Sequence, residues 1–137
     1  MSQTVQQIII TEPGGVEKLA YESVAVPQAQ ANEVLVKVHA FGLNRPDILQ
    51  RQGLYPMPKG VTPVPGLEVS GIVEAVGADV TAFKVGDKVC GLTNGGGYAE
   101  YCVVPESQTL AIPEGVSFVQ AAAIPETFYT VWANVFQ

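Results

Sequence analysis

The chain has 137 residues, 47% of them hydrophobic and 15% charged, with 14 glycines, 10 prolines and a formal net charge of −6. That length fits one domain, and so many turn formers favour short strands over long helices. The scattered Lys and Arg exclude the basic patches that nucleic acid and anionic membrane surfaces require, and no apolar run approaches the ~20 residues that span a bilayer.

The opening Ser2-Gln3-Thr4-Val5-Gln6-Gln7 is polar and carries no basic residue, unlike a signal peptide, so a soluble, cytoplasmic protein is expected. From Val5 to about Pro113 the pattern is β. Residues 5–10 end at Glu12-Pro13-Gly14-Gly15 and are expected to pair with residues 19–24. In residues 34–40, Val34, Val36, Val38 and Ala40 alternate with Leu35, Lys37 and His39, which predicts a half-buried strand. Asn44-Arg45-Pro46-Asp47 predicts a helix start, with a side-chain cap, Pro in the first turn and a carboxylate at the positive end of the dipole; Gly53 is the stop. Residues 69–76 read as a strand closed by Gly77-Ala78-Asp79. Residues 88–92 and 98–104 read as two more, joined at the Asn94-Gly95 turn signal. Ser117 and Gln120 form a capping-box pattern, Pro125 interrupts that helix, and a fresh segment is expected from Thr127. There Phe128, Val131, Trp132 and Val135 fall on one helical face. That helix carries no stop signal before Gln137, so the chain is expected to be cut where it enters a further domain, leaving a frayed tail or a face for self-association.

Few residues carry chemistry. Asn44 offers an amide at a helix start and Tyr55, in Gly53-Leu54-Tyr55-Pro56, offers a phenol. Either also has a plain structural use, as a cap or as turn packing. Glu68 enters an apolar strand and needs a cation or donors, while Arg45 and Arg51 either hold a phosphate or solvate a helix face. Gln50 shares a helix face with Asp47 and is not expected to be catalytic. His39, the one histidine, has no partner at motif spacing and reads as a packing or surface residue. Cys90 and Cys102 lack Cys-x-x-Cys spacing and read as small buried apolar residues. Gly95-Gly96-Gly97 leads into a tyrosine strand, not a helix, so it is no phosphate loop, and no dinucleotide fingerprint occurs.

The block Asn44-Arg45-Pro46-Asp47, then Gly53-Leu54-Tyr55-Pro56 and Pro65-Gly66-Leu67-Glu68, resembles the active-site lining of the medium-chain dehydrogenase/reductase superfamily. The likeness is to its zinc-free quinone oxidoreductase (zeta-crystallin-like) branch. Zinc members carry Cys where Asn44 stands, His where Leu67 stands and a third ligand where Glu126 stands; one carboxylate alone is not a zinc site. Those with a structural zinc carry a four-cysteine lobe shortly after the position of Cys90. Val85-Gly86-Asp87-Lys88-Val89 and Gly96-Gly97-Tyr98-Ala99-Glu100-Tyr101 are shared more widely across the superfamily.

The resemblance implies a mainly β domain with short helices, a GroES-like partly open β-barrel over residues 1–124. Residues 125–137 would begin the helix toward a Rossmann domain that this chain lacks. It implies the catalytic domain of an NADPH-dependent quinone oxidoreductase without zinc, inactive by itself and a homodimer or homotetramer at full length. By the same likeness Asn44 and Tyr55 would line the cleft toward a quinone or related electrophile, and Asn44 and Thr130 would sit against the nicotinamide. Glu68 would be structural, paired with a basic residue of the missing half. The alternatives are an enoyl or alkenal double-bond reductase, with Tyr55 as acid, and a GroES-like binding module without catalysis.

Overall fold

Valine alternation builds the sheet. The computed structural model describes residues 4–137. Strands β1 (Thr4–Ile10) and β2 (Leu19–Ala25) form an antiparallel hairpin with Val5 opposite Val24 and Ile10 opposite Leu19, the pairing expected from the sequence. The remaining strands are β3 (Glu33–Phe41), β4 (Glu68–Val76), β5 (Lys88–Leu92), β6 (Tyr101–Pro105) and β7 (Thr109–Ala111). They form a five-stranded sheet in the order β6-β3-β4-β5-β7, with every neighbouring pair antiparallel. It curls into the expected partly open barrel.

The inner face is a cluster of Val34, Val36, Val69, Val73, Val89, Cys102 and Val104. Each buried valine contributes roughly 2 kcal/mol of transfer free energy against the entropy of ordering the chain. The outer face of β3 is only partly wet. Leu35, expected toward solvent, is buried with Val5 and Tyr101, because the β1–β2 hairpin folds over it. Hydrogen bonds from Ile8 N–H to the Tyr98 carbonyl and from Glu100 N–H to the Gln6 carbonyl fasten the hairpin there.

The hairpin expected across Asn94-Gly95 does not form. β5 lies between β4 and β7, while β6 lies on the far edge of β3. The donors of the connecting segment go elsewhere: Thr93, Gly96, Gly97 and Tyr98 donate to the carbonyls of Leu67, Val64, Gly66 and Pro65. A turn signal fixes a local bend, not the strand that the bend delivers.

Helix α1 (Arg45–Arg51) begins and ends as the sequence predicts. It stops in a Schellman motif: Gly53 has φ +75°, its N–H donates to the Gln50 carbonyl, and Leu54 N–H donates to the Leu49 carbonyl. Helix α2 (Phe118–Ala121) carries the expected capping box. The Ser117 hydroxyl accepts from Gln120 N–H at 3.2 Å, and the Gln120 side chain accepts from Ser117 N–H at 2.9 Å. Helix α3 (Pro125–Val135) starts two residues before the expected Thr127. The helix begun at Ser117 has already ended at Ala121, ahead of Pro125, which opens α3 because the first turn needs no N–H there. Phe128, Val131, Trp132 and Val135 are all exposed on it.

Ser117→Ala removes one half of the α2 capping box and is expected to cost about 1 kcal/mol of stability. Urea denaturation checks this; an unchanged midpoint would mean that α2 is held by packing alone.

Candidate active site

β3 ends at Phe41, and the chain then turns through Gly42, whose N–H donates to the Glu68 carbonyl at 3.2 Å. A β-carbon on Gly42 would overlap Glu68 Oε1, so only glycine fits this approach. Asn44 follows as the N-cap residue of α1. Its backbone N–H donates to Asp47 Oδ2 at 2.9 Å, and its side-chain Nδ2 donates to Glu68 Oε1, also at 2.9 Å. The other Glu68 oxygen accepts the Glu126 backbone N–H at 2.9 Å, at the start of α3. One buried carboxylate therefore joins the starts of α1 and α3.

Asp47 is 4% exposed and Glu68 3% exposed. Tyr98, 51 positions along the chain from Asp47, donates its hydroxyl to Asp47 Oδ2 at 2.9 Å. Asp47 Oδ1 has no hydrogen-bond partner among the described residues. The two salt bridges among those residues, Lys18–Glu12 and Lys84–Asp87, involve none of Asp47, Glu68 and Glu126. Donors and the positive end of α3, rather than an ion pair, thus hold the Glu68 charge. Burial, followed by the neighbouring charge of Asp47, pushes the Tyr98 phenol well above its ordinary 10, so it stays a donor. Partial burial, then the charges of Glu68 and Asp47, raise the Glu126 carboxyl above its ordinary 4.5.

Of the residues singled out in the sequence, Asn44 lies inside this network. Tyr55 sits in a bend beyond α1, 42% exposed, and among the described residues it makes no hydrogen bond to the cluster. Thr130 is exposed on α3, four residues and thus about one turn beyond Glu126. Glu68 has found donors rather than a cation. Arg51 donates Nε to the Gly14 carbonyl at 3.1 Å and braces α1 on the β1–β2 connection, while Arg45 is exposed. Gln50 donates to the Pro63 carbonyl and steadies the loop after α1. His39 stacks on Phe118 at 4.3 Å, in the packing role expected of it. Cys90 and Cys102 are both buried free thiols, and burial lifts the Cys102 thiol to about 12.

Sequence reasoning missed Tyr98 and the Asp47 pairing, because nothing local signals a contact across 51 positions. A groove of about 500 Å³ runs beside the cluster between β1 and the end of β3, lined by Ile8, His39, Phe41 and Tyr98. Neither Asn44 nor Tyr55 lines it.

Asn44 keeps one amide hydrogen beyond the bond to Glu68, so a fixed neutral donor is available at the start of α1. Among the described residues no three His, Cys, Asp or Glu side chains are grouped as metal ligands.

Glu68→Ala strands two donors and is expected to cost about 3 kcal/mol, against about half that for Glu68→Gln, which keeps one acceptor oxygen. Denaturant unfolding of both variants checks this, and equal losses would reject the hydrogen-bond account. The raised Glu126 pKa means that its ionised form is disfavoured in the folded chain. Its favourable contribution is complete below its unfolded pKa and is lost as pH rises through the folded one. Glu126→Gln is expected to raise the unfolding midpoint at pH 7, with the gain vanishing near about pH 3.5 where the wild type is protonated. A gain of equal size at both pH values would contradict the electrostatic cause.

Residues 30–114 match the family model described as the alcohol dehydrogenase GroES-like domain. The chain is 40% identical over 134 residues to a synaptic vesicle membrane protein VAT-1 homolog of Danio rerio, spanning 97% of this chain and 28% of that protein. It is 40% identical over 134 residues to a quinone oxidoreductase of Rattus norvegicus, spanning 96% of this chain and 41% of that one. Among solved structures, a Pseudomonas syringae pv. Tomato DC3000 quinone oxidoreductase superposes with TM-score 0.85 at 39% identity, over 97% of this chain and 41% of the other. A mycobacterial protein solved with NADPH superposes with TM-score 0.82 at 35% identity, over 96% of this chain and 40% of the other. The chain thus spans less than half the length of these relatives. With the family model matched across the barrel and the fold reproduced in solved relatives, this chain belongs to the alcohol dehydrogenase GroES-like domain family.

Proposed function

We propose that this chain forms the substrate side of an NADPH-dependent quinone oxidoreductase that works without zinc, together with a separate dinucleotide-binding domain. The observation that carries the reading is the Asn44 amide, held by buried Glu68 where α1 and α3 meet. The positions at which the resemblance expects zinc ligands hold Asn44, Leu67 and Glu126. An amide and an alkyl side chain supply no metal ligand of the kind zinc requires, so the donor set does not fit that ion.

The residues fit one end of NADPH only. Thr130, exposed about one turn beyond Glu126 on the same side of α3, would meet the nicotinamide ring. No glycine-rich turn into a helix is available for the pyrophosphate, and Arg51 is already engaged by Gly14. NADPH, when bound, supplies the hydride. The Asn44 amide would hold one quinone oxygen in place and stabilise the negative charge that develops there, as a preorganised donor does. Tyr55, half-exposed at the start of the loop beyond α1, would offer its hydroxyl to the second oxygen. A quinone needs no Lewis acid to accept hydride, which suits a neutral donor.

Calorimetric titration with NADPH and a benzoquinone assay on the isolated chain should give no turnover. Fusion ahead of the dinucleotide domain of a related quinone oxidoreductase should restore it. In the fusion, Asn44→Ala should lower kcat about a hundredfold, and Tyr55→Phe about tenfold without affecting folding. Unchanged rates would remove those residues from the site. Turnover by the isolated chain would overturn the two-domain reading. Reduction of an enone but not of a quinone would favour the double-bond reductase, and cofactor binding with neither activity would favour a binding module.

A further inference from the structure

Tyr98 is clamped on several sides. Its N–H donates to the Pro65 carbonyl at 2.9 Å and its carbonyl accepts from Ile8 N–H at 2.8 Å. Phe41 stacks on the ring with centroids 4.6 Å apart, and a β-carbon on Gly66 would lie 2.6 Å from Tyr98 Cδ1. The hydroxyl is therefore a donor fixed in space, and it points at Asp47 Oδ2. That oxygen also receives the Asn44 N–H, while Asp47 Oδ1 has no partner among the described residues. The terminal torsion of an aspartate is soft. The Tyr98 hydroxyl thus fixes the torsion of the Asp47 carboxylate, and with it the place of the oxygen that meets Asn44. The Asn44 backbone, at φ −122° and ψ 156°, sets the direction from which its side chain reaches Glu68.

We infer that Tyr98 is a positioning residue of the site, aiming the Asn44 side-chain amide through Asp47 by way of its hydroxyl. This rests on the reading of Asn44 as the group that meets the quinone. Tyr98→Phe deletes the hydroxyl and keeps the stacked ring.

The test is NMR on the ¹⁵N-labelled chain, following hydrogen exchange of the Asn44 backbone amide and the two Nδ2 proton signals, normalised to core amides of β3 and β4. Tyr98→Phe should speed Asn44 exchange at least tenfold relative to the core and shift the Nδ2 pair. In an Asp47→Asn background the same substitution should add less than twofold. Asn44 exchange within twofold of wild type overturns the proposal, as does an undiminished effect in the Asp47→Asn background. Should Tyr98→Phe fail to fold, the wild type decides. A slowly exchanging Tyr98 hydroxyl proton with cross-relaxation to the Asn44 amide proton is expected, and its absence overturns the proposal.

In the fusion enzyme, Tyr98→Phe should lower kcat about tenfold with KM within twofold. Retained kcat there, alongside loss in Asn44→Ala, defeats the positioning role alone. Full activity in Asn44→Ala defeats the reading of Asn44 while leaving the NMR coupling standing.

Discussion

The site depends on one buried charge. A carboxylate with 3% exposure, as at Glu68, is strongly unfavourable unless donors meet it. Glu68 meets two, Asn44 Nδ2 and Glu126 N–H, and they come from the starts of different helices. The requirement to satisfy one carboxylate therefore brings together segments 24 and 58 positions away in the chain. Gly42 allows the chain to leave β3 close enough for this, and the positive end of α3 adds a favourable dipole.

The same arrangement carries an electrostatic conflict. Partial burial first, and then the negative charges of Glu68 and Asp47, disfavour the ionised form of Glu126 and raise its pKa. No lysine or arginine forms a salt bridge to them among the described residues. Burial is tolerated because Asp47 and Glu68 are each met by N–H or O–H donors. Stability and preorganisation pull apart here: an apolar cluster would be steadier, but it would not orient an amide.

Legibility followed the range of the interactions. The period-two valines of β3 and β4, the Pro46 and Gly53 limits of α1, and the Ser117–Gln120 box are local, and the sequence displayed each of them. The burial of Leu35 was hidden because it depends on the β1–β2 hairpin folding over a strand that looks half-exposed by itself. The Asn94-Gly95 turn was visible, but its strand partners were not, since the backbone donors from Thr93 to Tyr98 are taken by residues 64–67. At the site, Asn44 stood out through a motif. Tyr98 did not, because its role exists only once a strand edge and a helix start meet.

The site also divides its polar groups by rigidity. Asn44 is held through its backbone by Asp47 and through its side chain by Glu68, so reorienting it means breaking a charge-assisted hydrogen bond. Tyr55 is 42% exposed and free of that network. On the proposed reading this asymmetry suits flat acceptors of varied size. One oxygen of the quinone would be fixed by a preorganised donor, where lost reorganisation lowers the barrier, while the far oxygen would be met by a group on an open loop that tolerates different ring substituents. Selectivity would then come from the fixed end and breadth from the loose one. Rigidifying the loop would narrow the range of quinones before it changed the rate for the smallest of them.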